Sequence, residues 1–369
     1  MFGEGLVTSN GSKHNADRAC LAKYFIKSSV DQYIGYMVDT TKDMIETTLR
    51  PKDGKVMDVQ ELFHMLALRV FGYFSAGHDY SKDPQAKWIN RTVSHGSNVI
   101  GEHIVLGIPV WDIIPRIRLL KSDVKKMHAH IEGLVQQRLK LRSLGYPEND
   151  DPLKGMLDAN MTRKEIYEHF TTLLSAGHDT TAFFSCYMAY MLAEHPDVQA
   201  KMKAEVKEVL GENTNITKED AAKLKYTSCV MKEVLRMYTV IPFVNRTTTG
   251  NVKLNEANIS LPKGTTCLIP LCLMNRDANV WDKPNEFRPS RFEQMNISTN
   301  SAKHGYLPFG YGSRTCIGNT LALTEGCLMF ALLMQKVTFV KVSGFKPKIT
   351  AGISLTSSNG IQVGIRFDK

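Results

Sequence analysis

The chain lacks several features that would assign it directly to a function class. None of its 369 residues lies in an unbroken run of about eighteen apolar residues, so the sequence predicts no membrane-spanning helix. Its seven cysteines form no C-x-x-C pair, which argues against zinc-ribbon and dithiol redox sites, and their odd number favours free thiols. Internal repeats and low-complexity tracts are also absent.

The basic residues are spread along the chain and do not form a concentrated cluster. The formal net charge is +9, but no basic run is interleaved with aromatic residues, which argues against nucleic-acid binding. A diffuse positive surface suits an acidic protein partner or an anionic membrane, and suits an ordinary solvated surface equally well. Residues 104–115 are the best candidate for peripheral membrane contact, although two prolines interrupt them and they are too short to span a bilayer.

The spacing of apolar residues predicts a mainly α-helical chain with small β-sheets. No linker composition divides it, so we expect one domain over residues 1–369. Predicted helices cover residues 17–49, 58–74, 122–143, 162–195, 197–210, 218–224 and 227–239, and predicted strands cover 244–249, 266–271, 337–342 and 361–367.

The fourth of these helices is the longest. Thr162 followed by Glu165 is a capping-box pattern, and the next proline is Pro196. A helix of this length extends roughly 48 Å, enough to cross a whole domain. Apolar residues surround it on most sides, which predicts burial through the middle of the protein.

One short stretch carries the strongest chemical signal. Residues 309–318 read FGYGSRTCIG, in which Cys316 follows a glycine-rich turn and precedes an apolar segment, 317–335, that is predicted to be helical. A thiolate at a helix N-terminus is stabilised by the helix dipole and by backbone N–H groups. The glycines let the backbone approach a flat, bulky partner, and Arg314 can meet a carboxylate. These features predict a sulfur-ligated haem iron, the alternative being one more buried thiol.

This stretch resembles the cysteine-ligand signature of the cytochrome P450 family, F-x-x-G-x-R-x-C-x-G, at Phe309, Gly312, Arg314, Cys316 and Gly318. The resemblance implies a cytochrome P450-like fold, haem b as the cofactor and Cys316 as the proximal iron ligand. The matching motifs extend over essentially the whole chain, beginning at a helix near residue 12. We therefore expect the anchor, first helices and first sheet strands of eukaryotic members to be missing, as in a fragment, an incorrect gene model or a shortened protein.

A second motif lies within the long helix. Residues 176–181 read AGHDTT and resemble the family's oxygen-activation element. The resemblance implies that Asp179 and Thr180 handle protons, and that Ala176 and Gly177 leave space over the haem. The alternative is a helix kink with a polar patch.

Residues 75–79 repeat residues 175–179 letter for letter, but the first copy runs into a predicted loop and lacks both threonines. We interpret this repeat as coincidence. His14 has no evident partners for a zinc site. The remaining histidines considered are predicted to be surface or hydrogen-bonded core residues: His78, His103, His128 and His130.

A third motif is structural. Glu233 and Arg236 lie three apart on a predicted helix and resemble the family's E-x-x-R element. Residues 284–292 resemble its P-x-x-F-x-P-x-R-F segment, which implies that Arg291 joins the pair in a buried ion network. Such a network would fix the loop that leads to Cys316.

The resemblance also implies which groups hold the haem propionates. Arg314 is the clearest candidate, and Arg246, in the predicted strand after Pro242, matches the family's usual propionate arginine there. His14 and Arg18 resemble the W-x-x-x-R element, with histidine in place of tryptophan.

The implied activity is insertion of one oxygen atom from O₂ into a lipophilic substrate, a fatty acid, sterol or xenobiotic, with electrons from an NADPH-dependent reductase. The family's usual location is the cytoplasmic face of the endoplasmic reticulum membrane. Predicted pocket residues are Phe170, Leu173, Leu174, Pro242, Phe243, Val244 and Leu355. Candidate reductase-docking residues are Lys13, Lys23, Lys27 and Lys303.

Two other functions stay open. One is a reductase-independent haem-thiolate isomerase or dehydratase, against which the intact Asp179–Thr180 pair argues. The other is a truncated, non-catalytic remnant.

Overall fold

A computed structural model describes residues 2–106, 114–295 and 305–368, and its fold is mainly helical with small antiparallel sheets, which confirms the predicted fold class. The helices are α1 (Gly11–Ala22), α2 (Lys27–Val30), α3 (Ile34–Met44), α4 (Gln60–Ala76), α5 (Ala86–Leu106), α6 (Pro115–Ser143), α7 (Pro152–Asp158), α8 (Arg163–Glu194), α9 (Pro196–Leu210), α10 (Lys218–Lys223), α11 (Lys225–Met237), α12 (Leu271–Met274), α13 (Ser290–Met295) and α14 (Asn319–Lys336).

The strands form four antiparallel sheets within the described residues. They are β1 (Val56–Asp58), β2 (Val244–Thr247), β3 (Val252–Leu254), β4 (Ile259–Leu261), β5 (Thr266–Ile269), β6 (Val337–Val340), β7 (Ile349–Ala351), β8 (Leu355–Ser357) and β9 (Gln362–Phe367). β9 lies between β1 and β6, and the other sheets pair β2 with β5, β3 with β4, and β7 with β8. The first sheet therefore joins the end of the chain to a segment near its beginning.

The long helix α8 lies at the centre of the fold. Its N-terminus has the predicted capping box: the Thr162 hydroxyl accepts from the Glu165 N–H, and the Glu165 carboxylate accepts from the Thr162 N–H at 2.9 Å. From residue 168 to residue 193 every residue is buried except Ala176, Gly177 and Thr180. The apolar surface around this helix explains its burial, because a helix without a polar face is stable only when other elements cover it.

The structure differs from the predicted helices in several places. Helix α6 begins at Pro115 rather than at residue 122, and α7, α12 and α13 were not predicted. Two further differences shape the core. Residues 17–49 do not form one helix, because α1 ends at Ala22 and two turn hydrogen bonds follow. This break lets the adjacent side chains of Tyr24 and Phe25 both enter the core. Helix α5 was not predicted at all. Its polar residue Ser97 is buried, and Ser94 donates to the Asp179 carboxylate at 3.3 Å, so this helix turns polar side chains toward the interior.

Glu165 is expected to contribute a pH-dependent part of the stability. The backbone and hydroxyl of Thr162, together with Lys13 at 3.1 Å, lower the pKa of Glu165 to about 2. This contribution is therefore fully present above about pH 4.5 and is lost as the pH falls toward 2. Because the carboxylate is about one-third exposed, we expect Glu165→Gln to lower the free energy of unfolding by only about 0.5–1 kcal/mol at pH 7.

Urea denaturation at pH 7 and at pH 3 measures this effect. The difference between Glu165→Gln and the parent should shrink at the lower pH. Glu256→Gln, at an exposed position, is the control and should change little at either pH. An equal difference at both pH values would contradict the assignment.

Candidate active site

Cys316 lies in a tight turn immediately before α14. Gly310 and Gly312 have φ angles of 71° and 74°, in the left-handed region that favours glycine. The Cys316 N–H donates to the carbonyl of Phe309 at 2.8 Å, which closes the turn. Helix α14 begins at Asn319, two residues later than predicted, so Cys316 precedes the first turn of the helix.

The Cys316 side chain is exposed, although protein surrounds it on the other sides. A Cβ added at Gly318 would meet only the sulfur, at 3.9 Å, and the edge of the Phe25 ring, at 4.0 Å, so this side of the cysteine is open. The surrounding protein raises the pKa of the thiol, while the Gly318 N–H and the charge of Arg18 lower it in part. The chain alone therefore favours the thiol, and a thiolate here needs a cation as its partner.

Three arginines gather beside this cysteine. Arg18 donates to the carbonyl of Thr315 at 2.7 Å, and Arg314 donates to the carbonyl of Ser9 at 2.9 Å. Burial lowers the pKa of Arg314, and the positive charges of Arg246 and Arg18 lower it further. Within the described residues none of the three guanidinium groups forms an ion pair with a carboxylate, so together they favour an anion.

His14 lies one turn before Arg18 on α1 and is only 3% exposed. Its Nδ1 is 3.3 Å from the side-chain oxygen of Asn15. The structure thus places His14 beside the arginine with which it was predicted to act.

The open face of α8 is formed by Ala176, Gly177 and Thr180, the three residues that interrupt its burial. The Thr180 hydroxyl donates to the carbonyl of Ala176 at 2.7 Å. Gly177 needs a different explanation from the predicted one. A Cβ at this position would come within 2.2 Å of the Phe71 ring, so the missing side chain makes room for the packing of α4 rather than for a ligand.

Asp179 points away from this open face. Its carboxylate is 3.5 Å from Nε2 of His64 on α4, 3.5 Å from Nδ1 of His178, and accepts from Ser94 on α5 at 3.3 Å. Burial raises the pKa of Asp179, but the hydrogen bond from His64 and the other neighbours lower it more, and the pKa ends below its ordinary value. No hydrogen bond joins Asp179 to Thr180 among the described contacts, and the two side chains have separate partners.

Sequence reasoning missed His64. Its Nδ1 lies 2.7 Å from the carbonyl of Gln60, and this contact leaves Nε2 directed toward Asp179. Burial lowers the pKa of the neighbouring His178 to about 3, so that imidazole is neutral at pH 7. The only signal in the sequence was a histidine among the apolar residues Phe63, Met65 and Leu66 of this helix.

Glu233, Arg236 and Arg291 form an ion network that is buried. Arg236 forms two hydrogen bonds to the Glu233 carboxylate, at 2.7 and 2.9 Å, and Arg291 forms a third at 3.0 Å. All three side chains are at most 2% exposed. The Trp281 ring lies 5.2 Å from the Arg236 guanidinium, and the remaining arginine donors go to backbone carbonyls of residues 275–286.

The predicted pocket residues fall into two groups. Phe170, Leu173 and Leu174 are packed in the core, and Leu173 lies one turn before Ala176 on the same face of α8. Pro242 is buried, and Phe243 and Val244 are half-buried. Leu355 reaches this second group because its N–H donates to the carbonyl of Val240 at 2.7 Å.

Three of the four predicted docking lysines have local partners. Lys13 pairs with Asp17 and Glu165, Lys27 pairs with Asp31, and Lys23 lies 5.0 Å from the centre of the Tyr24 ring. Lys303 and most of the predicted membrane-contact segment 104–115 lie outside the described residues. Among the described helices, none is both long enough and apolar enough to cross a bilayer.

Comparison with known proteins decides the family. The sequence profile described as Cytochrome P450 matches residues 1–363. The chain belongs to the cytochrome P450 family. This P450 is similar to an 11-oxo-beta-amyrin 30-oxidase of Medicago truncatula, with 28% identity over 69% of this chain and 51% of the relative. It is also similar to the protein LUTEIN DEFICIENT 5, chloroplastic, of Arabidopsis thaliana, with 26% identity over 99% of this chain and 64% of the relative.

A third relative of this P450 is Cytochrome P450 4d2 of Drosophila melanogaster, which is 25% identical over 99% of this chain and 78% of its own length. The chain thus spans between about half and about four-fifths of these relatives. Family membership confirms the resemblance seen in the sequence motifs.

Proposed function

We propose that this chain is a haem-thiolate monooxygenase that inserts one oxygen atom from O₂ into a lipophilic substrate. One arrangement carries the proposal: the exposed Cys316 opens onto the same region as three unpaired arginines. A haem presents an iron for a thiolate and two propionates for arginines, so the donor set fits this cofactor. The exposed patch at Ala176 and Thr180 on an otherwise buried helix supplies an open face for O₂ and substrate.

In this proposal Cys316 is the iron ligand of haem b. Arg18, Arg246 and Arg314 bind the propionates, and their charges offset the cost of placing two carboxylates beside protein. His14 packs one helical turn from Arg18 and helps to position it. The turn of residues 309–318, with Phe309, Gly312 and Gly318, shapes the backbone around the sulfur. When bound, a thiolate-ligated haem supplies the redox chemistry that activates O₂. The network of Glu233, Arg236 and Arg291 holds the chain segment that precedes this turn.

Asp179 and Thr180 divide the handling of protons. Thr180 presents its hydroxyl on the open face, while Asp179 is buried behind it with His64. The carboxylate and the His64 imidazole lie 3.5 Å apart between α4 and α8, and in this proposal a proton is held at the Asp179 oxygen and passed by water to the open face.

The substrate we propose is a fatty acid, sterol or xenobiotic. The proposed pocket residues are all apolar, and none is an ionised group that would hold an anionic head: Phe170, Leu173, Leu174, Pro242, Phe243, Val244 and Leu355. One relative is named as an oxidase of 11-oxo-beta-amyrin. We also propose an NADPH-dependent reductase as electron donor, docking partly through Lys13, Lys23, Lys27 and Lys303, and peripheral contact with the cytoplasmic face of the endoplasmic reticulum membrane.

Haem binding and product analysis test the function together. The purified chain should contain one haem per molecule, and its reduced, carbon monoxide-treated spectrum should show thiolate ligation. With a reductase, NADPH and a panel of lipophilic compounds, it should yield products that carry one atom of labelled O₂. Failure to take up haem would favour the non-catalytic remnant. Turnover without reductase or O₂ would favour the isomerase or dehydratase.

Asp179→Asn is expected to slow turnover while leaving haem binding unchanged. The amide keeps the shape of the side chain but cannot hold the transferred proton, and such losses are typically about 10²-fold. The measurement is the rate of product formation per haem, with reductase and NADPH in excess. Asp197→Asn, on the surface helix α9, is the matched control and should behave as the parent does. Unchanged turnover in Asp179→Asn would remove this residue from the proton path.

A further inference from the structure

The segment after α4 contains chemistry that the proposed function does not use. Here the first copy of the repeated pattern, residues 75–79, ends the helix instead of continuing it, because Gly77 adopts a φ angle of 64°. The following loop returns to the middle of α6. We propose that His78, Asp83 and His130 form a binding site for a divalent transition metal, Zn²⁺, between this loop and α6.

The three side chains are already close together. Nε2 of His78 is 2.7 Å from Oδ2 of Asp83, and the His78 and His130 ring centres are 5.7 Å apart. One ligand atom from each of the three residues lies within 4.8 Å of the other two. In a tetrahedral zinc site, metal–ligand bonds of about 2.0–2.1 Å place ligand atoms roughly 3.4 Å apart. To hold an ion, the His78–Asp83 contact would therefore lengthen from 2.7 Å, while the ligand atom of His130 would move closer to the other two.

The donor set matches zinc. Two imidazole nitrogens and one carboxylate oxygen are typical zinc ligands, and three protein ligands leave a fourth position for water. Asp83 supplies the negative charge, and its other oxygen accepts the Gln85 N–H at 2.7 Å, which holds the carboxylate in place.

The surrounding residues fix these ligands. The Tyr80 hydroxyl lies 2.9 Å from Nε2 of His130 and orients that ring. Tyr80 is itself only 1% exposed, and a Cβ at Gly72 would come within 2.4 Å of its ring, so Tyr80 has little freedom to move. Outer partners of this kind commonly orient metal-bound histidines. The alternative is a hydrogen-bonded His–Asp and Tyr–His network that binds no ion.

Zinc titration of the full chain separates these alternatives. The chain as purified is treated with a chelator, dialysed and titrated with ZnCl₂ by calorimetry, and metal other than iron is counted by elemental analysis. We expect one zinc ion per chain and a higher midpoint of thermal unfolding when zinc is bound. His78→Ala and His130→Ala should each weaken zinc binding by about 100-fold or more, and Tyr80→Phe by about 10-fold.

His128→Ala is the matched control, since His128 lies two residues from His130 on the same helix and stacks on Tyr167 instead. It should bind zinc as the parent does. Asp83→Asn keeps the shape of the side chain and should lose affinity even if an alanine variant fails to fold. The proposal is overturned if the parent binds no zinc, or if Asp83→Asn and the foldable histidine variants retain full affinity. These measurements do not depend on haem or turnover, so they stand apart from the proposed function.

Discussion

Replacing Cys316 with serine is expected to abolish the thiolate signature in the reduced, carbon monoxide-treated spectrum and to lower turnover by at least about 100-fold. A neutral hydroxyl cannot supply the negative charge and polarisable sulfur that a thiolate gives to iron. Mutating a residue that only hydrogen-bonds to a metal ligand typically costs about 10–100-fold in metal affinity or activity, and loss of the ligand itself should cost at least as much. Because the Cys316 side chain is exposed and opens onto free space, the fold should be unaffected. The thermal unfolding midpoint of the haem-free chain should stay within about 1 °C of the parent.

Cys20→Ser is the matched control for this experiment. Cys20 lies on α1 with its sulfur 3.6 Å from the carbonyl of Gly155, a contact that a serine hydroxyl can replace. This variant should keep the parent spectrum and turnover. If Cys316→Ser also keeps them, Cys316 is not the iron ligand and the proposed function fails.

Glu233→Gln is expected to produce the largest loss of stability, about 3–5 kcal/mol in the free energy of unfolding. The carboxylate accepts from Arg236, Arg291 and the backbone N–H of Arg288 in a region without exposed surface. Removing its charge leaves two guanidinium groups buried beside a neutral amide. Urea denaturation measures the loss, and a variant that does not fold at 25 °C is consistent with it.

An exposed pair provides the comparison. Glu46 and Arg50 form an ion pair across one turn near the end of α3, with about half of each side chain exposed, so Glu46→Gln should cost less than about 0.5 kcal/mol. The double variant Glu233→Gln, Arg291→Met should be less destabilised than the sum of its single variants, since both changes act on one network. A Glu233→Gln loss below about 1 kcal/mol would mean that the network does not hold the fold.

Local patterns predicted a large part of this structure. The capping box at Thr162, the length and burial of α8 and the glycine turn before Cys316 each depend on residues only a few positions apart. The pairing of Glu233 with Arg236 is of the same kind, because residues three apart share a helix face. These features follow from helical periodicity and turn geometry, which act over short distances along the chain.

Other expectations failed where packing between elements decides the result. The break after Ala22 places two adjacent aromatic rings in the core, and α5 turns polar residues inward toward Asp179. Position 177 has no side chain because the Phe71 ring of α4 packs against it. The Asp179 carboxylate turns toward His64, which is also on α4. The repeated pattern at residues 75–79 enters the proposed zinc site only because the fold places His78 beside His130 of α6.

The sequence alone therefore determined the helical class, the family and the cysteine turn, because each is written in short, contiguous patterns of apolar, glycine and charged residues. Only the tertiary structure decided how Arg18 reaches the carbonyl of Thr315, 297 residues away, and which face of α8 is left open. Contacts between such distant segments depend on how whole helices pack against one another, and no local pattern encodes that packing.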